Sequence, residues 1–147
     1  MTKPASSIER IATSCIAGRL RLLNRVVTKL YDDALRPFGV KLSQGSVLAV
    51  ADKIGVARPA QVCEILEMDT STLSRTVERM VANGWLEIVP EEDARSQPFR
   101  LTAEGRRLME RALPAWEQAQ AEAKKLLGDD GLRLLDATIG RVKSAHA

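Results

Sequence analysis

The stretch Met68-Asp69-Thr70-Ser71-Thr72-Leu73-Ser74-Arg75-Thr76-Val77-Glu78-Arg79-Met80 decides the reading of this sequence. Leu73, Val77, Met80 and Val81 recur at helical spacing, so they predict an amphipathic helix with one buried stripe. Asp69 is placed to cap its start, and Asn83-Gly84 is a strong stop at its end. The first turn offers short hydroxyls at Thr70, Ser71 and Thr72, and Ser74, Arg75 and Arg79 follow away from the stripe. Short hydroxyls let a helix end approach DNA closely, and an arginine can bond guanine O6 and N7 together. A recognition helix reads the major groove in this way, mainly from its N-terminal residues. Taken alone, the segment also fits an ordinary amphipathic helix with a solvated face.

Downstream the period changes. Trp85–Pro90 alternates and carries bulky apolar residues, which predicts a strand; Glu91–Ser96 is polar and turn-like; Gln97–Leu101 predicts a return strand. The hairpin tip, Pro90-Glu91-Glu92-Asp93-Ala94-Arg95-Ser96, ends a thin ribbon in an arginine. Such a side chain can enter the minor groove, where negative potential is concentrated, with a nearby carboxylate holding its guanidinium. Glu91 and Glu92 argue against a simple phosphate clamp, and a charged tip also serves solubility.

Upstream, Ser43 is placed to cap a helix reaching about Lys53, and Pro59 suits the first turn of a short helix to Leu66. Before these, Ser6 and Glu9 form a capping box that opens a long first helix. Ile8, Ile11, Cys15, Leu20, Leu23, Val27, Leu30, Tyr31 and Leu35 line it, and Pro37 and Gly39 end it. Ile16, Leu22, Val26 and Ala34 widen its apolar face beyond one stripe, which suggests a second subunit as partner. Thr102 is placed to cap a fifth helix with Leu108, Ala112, Trp116, Ala119 and Ala123 on one face and Pro114 as a bend. Gly128-Asp129 separates a sixth, carrying Leu132, Leu135, Ile139 and Val142. The expected fold is therefore mainly α (α+β): a single winged helix-turn-helix domain over 1–147. Residues 43–102 form its DNA-binding core, and 6–36 and 103–145 its long N- and C-terminal dimerisation helices.

The run Leu73-Ser74-Arg75-Thr76-Val77-Glu78-Arg79-Met80-Val81-Ala82-Asn83-Gly84-Trp85-Leu86-Glu87, then Asp93-Ala94-Arg95, then Arg100-Leu101-Thr102-Ala103-Glu104-Gly105, resembles the multiple-antibiotic-resistance regulator (MarR) family. The likeness extends to Tyr31-Asp32, Gly39 and Gln44 upstream and to Pro114-Ala115-Trp116 and Gln120 downstream. It implies a homodimer held by the terminal helices, a palindromic double-stranded DNA operator, and a repressor released by a small molecule or an oxidant. It also implies that Arg95 is the minor-groove arginine of the wing and Asp93 its organiser. Ser96-Gln97-Pro98 departs from the further charged residues that many members carry there. The effector cavity is expected between the first helix and the DNA-binding unit, with Tyr31, Val27 and Val47 as candidate residues.

Composition is consistent with this. The chain has 147 residues, enough for one domain with a real core. Aromatic residues are 3%, so that core must be aliphatic, and a net charge of +3 leans mildly toward polyanions. No apolar run approaches a bilayer span, the first residues lack a signal-peptide core, and the two cysteines fit a reducing cytoplasm. The one histidine, His146, sits at the C-terminus, so no histidine-based triad and no metal cluster is expected. No phosphate-binding glycine loop is present, and neither an enzyme nor a cofactor is expected. Two alternatives stand beside the ligand-responsive repressor: a redox-sensing repressor switched through Cys15, and a winged-helix module for protein–protein assembly. Cys15 falls on the apolar stripe, which makes it a packing residue, as Cys63 is on the third helix.

Overall fold

A computed structural model describes residues 5–93 and 96–147. The elements are α1 (Ser7–Ser14), α2 (Ile16–Leu35), a 3-10 turn (Arg36–Phe38), α3 (Leu42–Ile54), α4 (Pro59–Leu66), α5 (Thr70–Ala82), β1 (Leu86–Ile88), β2 (Phe99–Leu101) and α6 (Ala103–Ala145). The fold is mainly helical with a small two-stranded wing between long N- and C-terminal helices, as the sequence predicts.

The single first helix expected from Ser6 is instead two. Its capping box is present: the Glu9 N–H donates to Ser6 Oγ at 3.1 Å, and the Ser6 N–H donates to the Glu9 carboxylate at 3.3 Å. The chain leaves helical geometry at Cys15, with ψ at 115°. Three side chains favour the break. Thr13 and Ser14 donate their hydroxyls to the carbonyls of Glu9 and Arg10, and Arg19 takes the Ser14 carbonyl at 3.1 Å. Hydroxyls that bond back onto a helix compete with its ladder.

Ser43 does not cap α3. The helix starts after Lys41, where the Asp32 carboxylate of α2 accepts the Leu42 N–H at 2.8 Å and Gln44 accepts the Lys41 N–H at 3.0 Å. Two orphan donors are thus satisfied, one of them from a different helix.

The strands are shorter than expected but lie in the expected places. They pair antiparallel with Leu86 opposite Leu101 and Ile88 opposite Phe99. Ala57 adds a third rung to β2 by exchanging both backbone bonds with Phe99, at 2.8 and 3.0 Å. Thr102 then joins the end of α5 to α6. Its hydroxyl donates to the Gly84 carbonyl at 2.6 Å and accepts the Gly105 N–H at 3.0 Å. Gly105 lies so close to β1 that a Cβ there would sit 2.3 Å from the Trp85 carbonyl oxygen, so only glycine permits this approach.

The core is one cluster. Val47, Leu48 and Ala51 of α3, Val62 of α4, Leu73, Val77 and Met80 of α5, and Leu86 and Phe99 of the hairpin are all buried. Leu108, Ala112, Ala119 and Ala123 of α6 continue it toward Tyr31 and Leu35 of α2. The small residues let α2 lie closely along α6. Pro114 keeps helical dihedrals; the break in α6 falls at Gly128, with φ at 68° and ψ at 171°, where the sequence separates two helices.

Candidate nucleic-acid interface

α5 buries Leu73, Val77 and Met80 and leaves Thr70, Ser71, Ser74, Arg75 and Arg79 exposed on the other side, with Thr72 half-buried. The six candidate residues of this helix therefore share one end and one flank of a single exposed face. A groove of about 420 Å³ separates α5 from the hairpin, floored by Leu73, Val77 and Phe99 and edged by Ser74, Glu78 and Gln97.

The first turn is more constrained than its hydroxyl count suggests. Asp69 accepts the Thr72 N–H at 2.8 Å, the Thr72 hydroxyl at 2.7 Å and the Ser71 hydroxyl at 2.7 Å. The side-chain bond from Thr72, then that from Ser71, holds its carboxyl far below the usual carboxylate range, and Arg75 adds a weaker attraction. A hydroxyl has one proton. While Ser71 and Thr72 donate to Asp69, neither has a proton for a phosphate oxygen. Thr70, Ser74, Arg75 and Arg79 are the residues of this face with donors not engaged in that cap.

Asp93 is exposed at the hairpin, and its carbonyl accepts the Ser96 N–H at 3.3 Å. Arg95, the candidate wing arginine, lies outside the described residues. The described part of the hairpin holds an arrangement that no local pattern announces. Arg58, the residue before α4, donates to both carboxylate oxygens of Glu91, at 3.0 and 2.5 Å, and to Ser96 Oγ at 3.2 Å. The Arg58 side-chain bond holds the Glu91 carboxyl below its ordinary range, and Glu91 in turn raises Arg58. Arg58 and Glu91 are separated by 33 positions, so their pairing follows only from the fold.

The residues named for an effector cavity do not share one. Val47 is wholly buried in the core and Val27 is half-buried against it. Tyr31 is buried, its hydroxyl donates to the Gln120 side chain, and its ring lies 6.3 Å from that of Trp116. A cavity of about 370 Å³ lies one turn further on, against Leu35 of α2, Gly45 and Ser46 of α3, and Met109, Leu113 and Trp116 of α6. Trp116 was legible as part of the α6 stripe; its place at a cavity was not.

Cys15 is exposed at the break between α1 and α2 rather than packed in a stripe, because a continuous helix is what would have carried it onto one. Cys63 is half-buried against the core. Among the described residues there is no cluster of metal-ligating side chains, and no helix is long and apolar enough to cross a membrane.

Comparison with known proteins gives a consistent result. The MarR family model matches residues 38–96. The HTH-type transcriptional regulator YwoH of Bacillus subtilis is 33% identical over 86 residues, covering 58% of this chain, and this chain spans 63% of that protein's length. The multiple antibiotic resistance protein MarR of Salmonella typhimurium is 27% identical over 117 residues, covering 77% of this chain and 81% of that protein. Among solved structures, the Mycobacterium tuberculosis transcriptional regulator MosR in complex with DNA is 31% identical. It superposes with a TM-score of 0.76 over 90% of this chain and 98% of that one. A MarR variant of Escherichia coli complexed with operator DNA superposes with a TM-score of 0.79 at 22% identity, over 90% and 96% of the two chains.

Proposed function

We propose that this chain, which belongs to the MarR family of DNA-binding transcription regulators, is a homodimeric repressor that leaves its operator when a small organic molecule binds. The family is one of regulators, not enzymes. In this reading residues 43–102 form the DNA-binding core, and 6–36 and 103–145 the dimerisation helices. α5 enters the major groove with Thr70, Ser74, Arg75 and Arg79 toward bases and phosphates, while Arg95, organised by Asp93, reaches the minor groove.

The observation that carries this reading is the exposed face of α5, where Thr70, Ser71, Ser74, Arg75 and Arg79 lie opposite the buried Leu73, Val77 and Met80. The exposed apolar residues of α1, α2 and the last part of α6 support a two-fold dimer, which would set two α5 helices against successive major grooves. The cavity beside Trp116 supports a ligand switch. It touches α2, α3 and α6, the bodies whose relative movement changes the spacing of α5 helices, and its size falls in the range of ~300–1,000 Å³ typical of ligand pockets. A ligand acts there only by binding the badly spaced form better. Its apolar walls and indole suit an aromatic acid or another amphipathic organic molecule. Mobility shifts on the DNA flanking its own gene, repeated across salt concentrations and with such ligands, test this. A retarded band that ligands do not release leaves a DNA-binding regulator without this switch.

One observation favours a second reading. Cys15 is exposed, so a redox switch through its thiol is open to oxidants. If mild peroxide releases the wild-type protein from DNA and leaves Cys15→Ser bound, the switch is oxidation and not a ligand.

A further inference from the structure

We propose that Arg58 is a positioning residue for DNA binding: its guanidinium, clamped by Glu91 and Ser96 on the two arms of the hairpin, sets the angle between the wing and α5. This rests on the reading above that the wing meets DNA.

Backbone bonds hold the outer part of the hairpin sparsely: beyond the strands the two arms are joined by the Ser96 N–H to the Asp93 carbonyl at 3.3 Å and by one ladder bond. That ladder bond runs from the Val89 N–H to the Pro98 carbonyl at 2.8 Å. Pro98 has no N–H to return that bond, so the rung is left with one of its two bonds, and no backbone bond joins Glu91 to Ser96 beyond it. Continuing the register of Leu86 with Leu101 places Glu91 opposite Ser96. Arg58 bonds both of these residues, and one nitrogen, Nη1, is shared between them at 3.0 and 3.2 Å. The side chain therefore bridges Glu91 and Ser96, a pair that no backbone bond joins.

The other end of Arg58 is fixed to the helix-turn-helix. Ala57 is bonded in both directions to Phe99, and Pro59 opens α4, which holds Arg58 extended at φ −94° and ψ 136°. A planar fork meeting a carboxylate through two bonds also fixes orientation, which a lysine ammonium does not do. Ser96 directly follows Arg95 in sequence, so the clamp holds the residue next to the candidate wing arginine.

The test turns on a sign. Removing a negative charge beside DNA ordinarily strengthens binding. If Arg58 positions the wing, Glu91→Gln weakens binding instead, by about tenfold, as does Arg58→Gln, in keeping with the loss of a charge-assisted bond. The double variant is then no weaker than either single one, and the exchange Arg58→Glu with Glu91→Arg recovers most of the affinity. Affinity is read on a duplex selected by the wild-type protein from a random-sequence pool. Hydroxyl-radical footprints of the same complexes lose protection at the flanks, where the wings lie, and keep it at the centre. Melting temperatures stay near wild type, since exposed ion pairs add little to stability. Tighter binding by Glu91→Gln means that the Glu91 carboxylate acts on DNA only by repulsion, and unchanged binding in both variants means that the wing is set elsewhere; either result overturns the clamp. Arg95→Ala separates the two levels. If it is silent in affinity and flank protection, the wing does not meet DNA and both readings fall. If it weakens binding while Glu91→Gln does not, only the clamp fails.

Discussion

In the winged unit Val47, Val62 and Phe99 are 0% exposed, whereas Ile8 on α1 is 80% and Leu134 on the last part of α6 is 65% exposed. Both regions are helical and rich in aliphatic residues. The difference is in what covers them. α3, α4, α5 and the hairpin close over one another around a shared core and leave only Val56, Ile65 and Ile88 as large apolar side chains at their surface. The outer helices carry Ile11, Ile16, Leu20, Leu22, Leu135, Ile139 and Val142 into solvent. Apolar surface of that extent marks an interaction site. On the function proposed above, the core presents the DNA-reading face, and the outer helices set how many such faces act together.

The largest effect expected from breaking this contrast is on assembly. Leu20→Glu combined with Ile139→Glu removes apolar burial at four places in a two-fold dimer and puts charges there, at roughly 1.5–3 kcal/mol for each side chain's burial alone. Light scattering at micromolar concentration should then give the monomer mass, with operator binding lost in parallel; a variant that stays dimeric would place the interface elsewhere. Phe99→Ala attacks the other region. It leaves a cavity under the hairpin and should cost about 3–5 kcal/mol of stability by denaturant unfolding, with assembly retained in the folded fraction.

Smaller effects sharpen the contrast within the exposed face of α5. Arg75→Ala should weaken operator binding by about 1–3 kcal/mol and relax base preference if the guanidinium makes a bidentate guanine contact. Equal loss on specific and mixed-sequence duplexes would assign Arg75 to phosphate alone. The smallest effect concerns the cap of α5. Asp69→Ala should lower the melting temperature, but by less than Phe99→Ala. Asp69→Asn keeps an acceptor for the Thr72 N–H and should lower it less still. Because its bonds to Thr72 and Ser71 depress the Asp69 pKa, its stabilisation is present above the ordinary carboxylate range and is lost as pH falls through the depressed value. The melting-temperature gap between wild type and Asp69→Ala should therefore narrow on strong acidification.

The sequence by itself determined what is set by neighbours along the chain. The stripe of α5, the Asp69 cap, the Ser6–Glu9 box, Pro59 at the start of α4 and the positions of both strands follow from spacings of a few residues, which local backbone geometry converts directly into structure. The apolar excess of the outer helices was legible for the same reason. The tertiary structure decided what depends on residues far apart. It made Asp32 of α2, not Ser43, the cap of α3, and buried Val47 in the core rather than at a cavity. It joined Tyr31 to Gln120 across 89 positions and gathered Leu35, Ser46 and Trp116 around the space expected near Tyr31. The break at Cys15 lies between these cases. Thr13, Ser14 and Arg19 are local, but their effect depends on which competing bond wins, and hydrophobic periodicity is blind to that competition. Arg58 is the clearest instance of the second kind. It looks like an ordinary charge before a proline until the hairpin folds back and brings Glu91 and Ser96 within reach of one guanidinium.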